Sequence, residues 1–336
     1  MTKKISPFVS VVIICLSLSL SICGQTPSPK DQTPKAIFVY HTNEFWLNLH
    51  HFLYVLARAE NKERDSSREA VANAPADQAT GLVKLSAPEQ ETWQKAIAWY
   101  ASGPAKKDLV FDDSLPAVTN AVARAGDATS LKGTDVDASF AMILESAAQL
   151  YRKAWWKQHQ AANEKWRQSI ESLVRLHGAK VLSFITTAYQ MKWPAAGFPV
   201  HITAYSNWAG AYSTKGDLLV LASLDPSVQG EYGLETIFHE GMHQWDEQTE
   251  DALIEVAKKI NKRFPGGLSH AVIFFTAGEA VRSVIPGHVP YAEKFGVWQR
   301  GLLRFRVALE ETWKPYLEGH GTRDEAFAEL IKRTAS

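Results

Sequence analysis

Five consecutive residues, His239-Glu240-Gly241-Met242-His243, constrain this chain more than any other feature. On an α-helix four residues advance about 400°, so the two histidines lie roughly 40° apart on one face. A single metal ion can then bind a ring nitrogen of each at about 2 Å. Glu240 lies between them, where its carboxylate can meet a water activated by the ion and take its proton. The same geometry makes a demand on the fold. A catalytic ion of this kind has three protein ligands and one open position. Glu247 shares the helix face of the histidines, but at 1.5 Å per residue it lies about 12 Å along the axis from His239. The third ligand must therefore come from another element packed against this helix.

Glu279 is the expected third ligand. It lies in Phe274-Phe275-Thr276-Ala277-Gly278-Glu279-Ala280-Val281-Arg282, a segment otherwise apolar up to the arginine. Buried carboxylates are costly unless paired or bound to a cation. Gly278 beside it lets this helix approach the motif helix closely. Glu279 can also pair with Arg282, three residues on. His270 and His320 compete for the ligand role. His270 lies nine residues before Glu279, about 180° around the same helix; His320 stands in a Gly319-His320-Gly321 loop. His50 and His51 have no ligand-spaced partner nearby and read as packing residues.

The ends and the composition narrow the setting. Lys3 and Lys4 precede an apolar, serine-broken stretch from Pro7 to Ile22, shorter than the roughly 20 apolar residues of a membrane span. Residues 1–24 read as a secretory signal, which implies a secreted or periplasmic protein. Leu20-Ser21-Ile22-Cys23 resembles a bacterial lipobox, so a lipid anchor on Cys23 is the competing reading and the one route to a membrane. Both cysteines, Cys15 and Cys23, fall in this segment, which leaves His, Asp and Glu as metal ligands in the remainder. Basic and acidic side chains balance at 36 each. Such a balance argues against a nucleic-acid partner, which requires a basic surface. Residues 25–36 are Pro-rich and read as a linker.

From residue 37 to 336 the patterning predicts one unit of the α+β class, mainly α. Its N-terminal part, 37–193, reads as helical after a short strand over Ala36–Tyr40. Helices are expected over Asn43–Ala59, Ser86–Ser102 and Pro116–Arg124. One long helix or a pair is expected over Asp135–Leu176, with a break at Gly178 before another over Ala179–Met191. The second part, 194–336, opens with alternating Val200–Tyr205, then Ala211–Thr214 and Leu218–Ala222 around a Lys215-Gly216-Asp217 turn. These predict a small antiparallel or mixed sheet before the motif helix, itself expected over Tyr232–Gln248. Helices over Asp251–Phe264 and Leu268–Val284 and a helical tail from Phe295 complete the reading.

The motif, the strands before it and the glutamate-bearing helix after it resemble the gluzincins, the thermolysin-like zinc metallopeptidases. The resemblance covers roughly Val200–Pro286 and rests mainly on the HExxH pentapeptide. It implies a Zn2+ ion held by His239, His243 and Glu279, with Glu240 as general base, hydrolysing the bonds of a peptide or protein substrate. It also implies that an edge strand, best sought in Asn207–Ser213, takes an extended peptide as an added strand. Tyr291 is the leading candidate for stabilising the oxyanion, with Tyr212 and His288 behind it. The chain departs from the family in having Ser283 where an aspartate often orients the first histidine; Glu235, or more weakly Asp246, can substitute. Two other functions compete: a non-catalytic secreted or lipid-anchored helical binding protein, and a zinc hydrolase of a non-peptide amide.

Overall fold

Within Phe198–Thr203 the apolar residues Phe198, Val200 and Ile202 alternate with His201, so a strand here presents two chemically different faces. The computed structural model, which describes residues 36–64, 75–109, 112, 114–214 and 218–335, builds the molecule around that strand. The signal-like segment, all of the Pro-rich linker but Ala36, and the Lys215-Gly216-Asp217 turn lie outside the described residues. Four strands form one mixed sheet: β1 (Phe38–His41), β2 (Phe198–Thr203), β3 (Ala211–Ser213) and β4 (Leu219–Ala222), in the order β1-β2-β4-β3. The β1-β2 and β2-β4 pairs are parallel; β3 runs antiparallel to β4 and forms an edge.

Helices cover both faces of the sheet, as the expected mainly-α α+β class requires. On one face Tyr212 and Val220 join a core built from α1 (Phe45–Arg64), α3 (Ala87–Ser102), α4 (Leu115–Ala125) and α5 (Ala138–Tyr151), with the short α2 (Gln78–Leu82) beside them. On the other face Phe38, Val200, Ile202, Leu219 and Leu221 join a core built from α6 (Lys157–Leu173), α7 (Ala179–Tyr189), α8 (Gly230–Met242), α9 (Asp246–Lys259) and α10 (Leu268–Arg282). The C-terminal α11 (Tyr291–Lys294), α12 (Leu303–Ala308), α13 (Lys314–Leu317) and α14 (Arg323–Thr334) close this second layer. Among the described residues no helix is long and apolar enough to cross a membrane.

Local sequence explains most boundaries. Ser86 and Glu89 form a reciprocal capping box at the start of α3, and Thr322 and Glu325 do the same for α14. The expected break at Gly178 does not occur. Its backbone is helical (φ −58°, ψ −39°), and π-helical turns at Arg152–Trp156 and Val174–Gly178 join α5, α6 and α7 into one continuous run. Glycine serves packing there: a Cβ would lie 2.9 Å from Val174 Cγ1 and 3.0 Å from Ile37 Cδ1, beside the start of β1.

A buried polar network fastens the two layers through the sheet. Asn48 of α1 donates through Nδ2 to the carbonyls of Glu44 and, at 3.5 Å, Ile202. Its Oδ1 accepts from Ala204 N at 2.9 Å and from Asn163 Nδ2 at 3.0 Å, and Ser223 Oγ donates to Asn163. Replacing Asn48 by alanine strands several of these groups out of reach of water, at roughly 1–3 kcal/mol each before relaxation. Urea denaturation of Asn48→Ala should show a loss of about 2–3 kcal/mol; a loss below about 0.5 kcal/mol would mean that the network does not couple the layers.

Candidate metal centre

The site forms where α8 and α10 cross. Gly278 is the close-contact residue on α10: a Cβ there would lie 2.6 Å from Pro290 Cβ and 3.3 Å from Glu235 Oε1 of α8. Gly278 thus makes room mainly for Pro290, in the chain after α10, with only the Glu235 carboxylate reaching it from α8; the α10 residue that meets the motif is His270. Ligand atoms of His239, His243 and His270 all lie within 4.8 Å of one another. Ring centroids are 5.0 Å apart for His239 and His243, 5.4 Å for His239 and His270, and 5.2 Å for His243 and His270. Phe274, one turn after His270, lies against both His239 (4.1 Å) and His270 (4.7 Å) and walls the group on its apolar side.

Glu279 does not join this group. It sits about half a turn around α10 from His270, as nine helical residues require, and Arg282 Nη1 donates to its Oε1 at 2.8 Å. Burial raises its carboxyl above the ordinary value, with Arg282 and then Lys314 opposing. The ion pair weighed in the sequence is thus the one observed, and the charge on an apolar helix is accounted for without a metal. His320 is exposed, away from the three rings.

The orienting carboxylates also differ from expectation. Glu235 does not reach His239. It is buried, 2.6 Å from His288 Nε2, and accepts the Tyr291 amide at 3.0 and 2.9 Å. Glu235 therefore pins the chain after α10 onto α8. The imidazole that does have a carboxylate is His243, whose Nδ1 lies 2.8 Å from Asp246 Oδ2. The expected single helix to Gln248 changes form here: α8 ends at Met242, a 3-10 turn covers His243–Trp245, and α9 begins at Asp246. In such a tightened turn residues three apart stand over one another, which brings Asp246 to His243.

Glu240 is buried beside the edge strand. Ser213 Oγ on β3 lies 2.8 Å from Glu240 Oε2 and 3.0 Å from its carbonyl oxygen, so its one proton can serve either. Burial raises the Glu240 carboxyl above its usual value, against the pull of His243 and the Ser213 bond. β3 is an edge of the sheet, with no further strand beyond it among the described residues, although Ala211 and Tyr212 are buried and Ser213 is only partly exposed. Ala222 N donates to the Gly210 carbonyl and Thr214 N to the Leu218 carbonyl, so the alternation of an antiparallel ladder turns the backbone groups of Ala211 and Ser213 away from β4.

The three expected oxyanion donors separate clearly. Tyr212 points to the other face, where its hydroxyl meets His51 Nε2 at 2.8 Å. His288 is held by Glu235. Tyr291 remains on the site's side: its hydroxyl donates to Ser227 Oγ at 3.2 Å, and Glu240 is one of the charges acting on it. His50 and His51 are buried packing residues, bonded to Tyr100 and to Leu47 and Tyr212.

The electrostatics suit a cation. Burial, reinforced by the other two rings, pushes His239 well below the ordinary imidazole range; burial and then His243 push His270 to about 4. Both rings are neutral at pH 7 and so have a lone pair to offer. His239 Nδ1 is buried with no hydrogen-bond partner among the described residues. A ring with a nitrogen unmatched by any protein group suits a ligand better than a packing residue. His243 differs: against the downward push of burial, Asp246 and Glu240 raise it, so without a metal it retains its proton to higher pH. The residues present fit a divalent metal with nitrogen ligands.

No family model matches this chain, and neither a curated protein nor a solved structure shows significant similarity to it.

Two outcomes follow from the geometry. Asp246→Ala should weaken metal binding about 10–100-fold, measured by competition with a chelating dye; unchanged affinity would show that the His243–Asp246 contact does not orient the ligand. Because a cation must displace the proton on His243, affinity should rise between about pH 6 and pH 8. Isotherms that coincide across that interval would contradict the raised pKa of His243.

Proposed function

We propose that the protein is a zinc-dependent hydrolase of peptide bonds, in which His239, His243 and His270 hold the metal and Glu240 is the general base. The observation that carries this reading is the convergence of three imidazoles, from α8, the turn that follows it and α10, with a buried carboxylate adjoining them and an edge strand alongside. A zinc ion bound there would supply a Lewis acid that brings the pKa of a water towards 7 and polarises the scissile carbonyl. The donor set departs from the gluzincin expectation by one residue, an imidazole from α10 in place of the Glu279 carboxylate.

The chain's own groups supply the remaining steps. Glu240 accepts a proton from the attacking water and returns it to the leaving amine. Its raised pKa brings the two protonation states closer in energy, as an acid–base catalyst needs. Ser213 steers the Glu240 carboxylate from the edge strand. The outward-facing groups of Ala211 and Ser213 give an extended peptide a strand to pair with, which would lay a backbone amide across the site. Tyr291 is the proposed donor to the oxyanion. The signal-like N-terminus supports a secreted or periplasmic enzyme.

Metal analysis and peptide hydrolysis test the assignment together. Glu240→Gln should retain the metal of the parent and lose hydrolysis by about 10²–10⁴-fold. His270→Ala should lose one equivalent of zinc, and Glu279→Gln should lose none. A Glu240→Gln protein that cleaves peptides as fast as the parent would refute the base assignment, and zinc lost from Glu279→Gln but kept in His270→Ala would refute the ligand set.

A further inference from the structure

We propose that His41, Glu44 and His201 form a second divalent-metal site, on the face of the sheet opposite the motif helix. The backbone builds this cluster. His41 ends β1 and His201 lies on β2, and the parallel register pairs them directly. Both side chains therefore leave the sheet on the same side, that of α1, whereas α8 packs on the side of Val200 and Ile202. The two imidazoles are stacked, 4.6 Å between centroids and 9° from parallel. Glu44, just before α1, brings both carboxylate oxygens to 2.8 Å from His201 Nδ1. One ligand atom from each of the three residues lies within 4.8 Å of the others.

Packing alone does not account for this arrangement. The His41 ring makes no hydrogen bond to the side chains or backbone of the described residues; it stacks on His201. Strand register places the two histidines face to face with a carboxylate at their edge, a donor set that one cation can share. Ligand atoms around a tetrahedral ion with bonds of about 2 Å stand roughly 3.3 Å apart, so a shift of about an ångström or less would close the group. Glu44 is buried and the two histidines are only partly so, which keeps the cluster within reach of solvent. Two imidazoles and one carboxylate select a borderline transition metal, zinc above all, over calcium or magnesium.

Such an ion would fasten β1, an edge strand bonded only to β2, to the rest of the sheet. Its role is structural and independent of hydrolysis at the motif. The test uses the full chain, stripped with chelator, reloaded with Zn2+ and dialysed against metal-free buffer. The parent should retain two equivalents of zinc. His41→Asn should retain one, with peptide hydrolysis unchanged; His270→Asn should also retain one, with hydrolysis lost. Zinc should raise the melting temperature of His270→Asn, and Glu44→Gln added to that variant should abolish the shift. A parent that keeps only the equivalent lost in His270→Asn would overturn the proposal, whether or not His41→Asn folds. So would a folded His41→Asn protein that keeps both equivalents. Failure of the motif site would instead appear as zinc retained unchanged in His270→Asn.

Discussion

The contact between α8 and α10 at Gly278 sets the rest of the site. A side chain at this position would strike Pro290 and approach Glu235, so glycine leaves room on α10 for the chain that Glu235 docks through His288 and the Tyr291 amide. That packing fixes which face of α10 the motif meets. His270 and Phe274 are one turn apart on it; Glu279 is on the opposite side with Arg282. Everything the centre can do chemically follows from this choice of face.

The sheet completes the arrangement from the other direction. It stands between two apolar cores, and its short edge strand places Ser213 on Glu240 while leaving alternate backbone groups unpaired. The helical N-terminal part, whose contribution is opaque in the sequence, forms the second of those cores and is tied through Asn48 to the β2 end and to α6. The edge strand β3 and the buried Glu240 thus rest on a scaffold supported from both faces.

Much of this was legible in the residues, and the failures have definite causes. HExxH spacing located α8, and period-two alternation located β2, because both patterns report directly on local geometry. Which residue of α10 meets the motif depends on how two helices pack. A buried carboxylate on an apolar helix was read as needing a cation, but Arg282 answers that need. The useful signal was the face shared by His270, Phe274 and Gly278, at spacings of four and eight; a small residue and an aromatic on the histidine's own side mark the contact surface. Asp246 reaches His243 because the 3-10 turn at His243–Trp245 interrupts the continuous helix that the periodicity predicts. Gly178 was read as a breaker, yet its role is to admit Ile37 beside a continuing helix. The His41–His201 pairing cannot be read from sequence at all, because it arises from the register of strands more than a hundred residues apart.

The central claim is that α10 gives the motif an imidazole and not a carboxylate. Anomalous diffraction at the zinc edge from crystals of the zinc-loaded protein tests it most directly. The account predicts a peak at the motif about 2.0–2.1 Å from ring nitrogens of His239, His243 and His270, with Glu279 still on Arg282. A peak coordinated by Glu279, or no peak within bonding distance of His270, would contradict it.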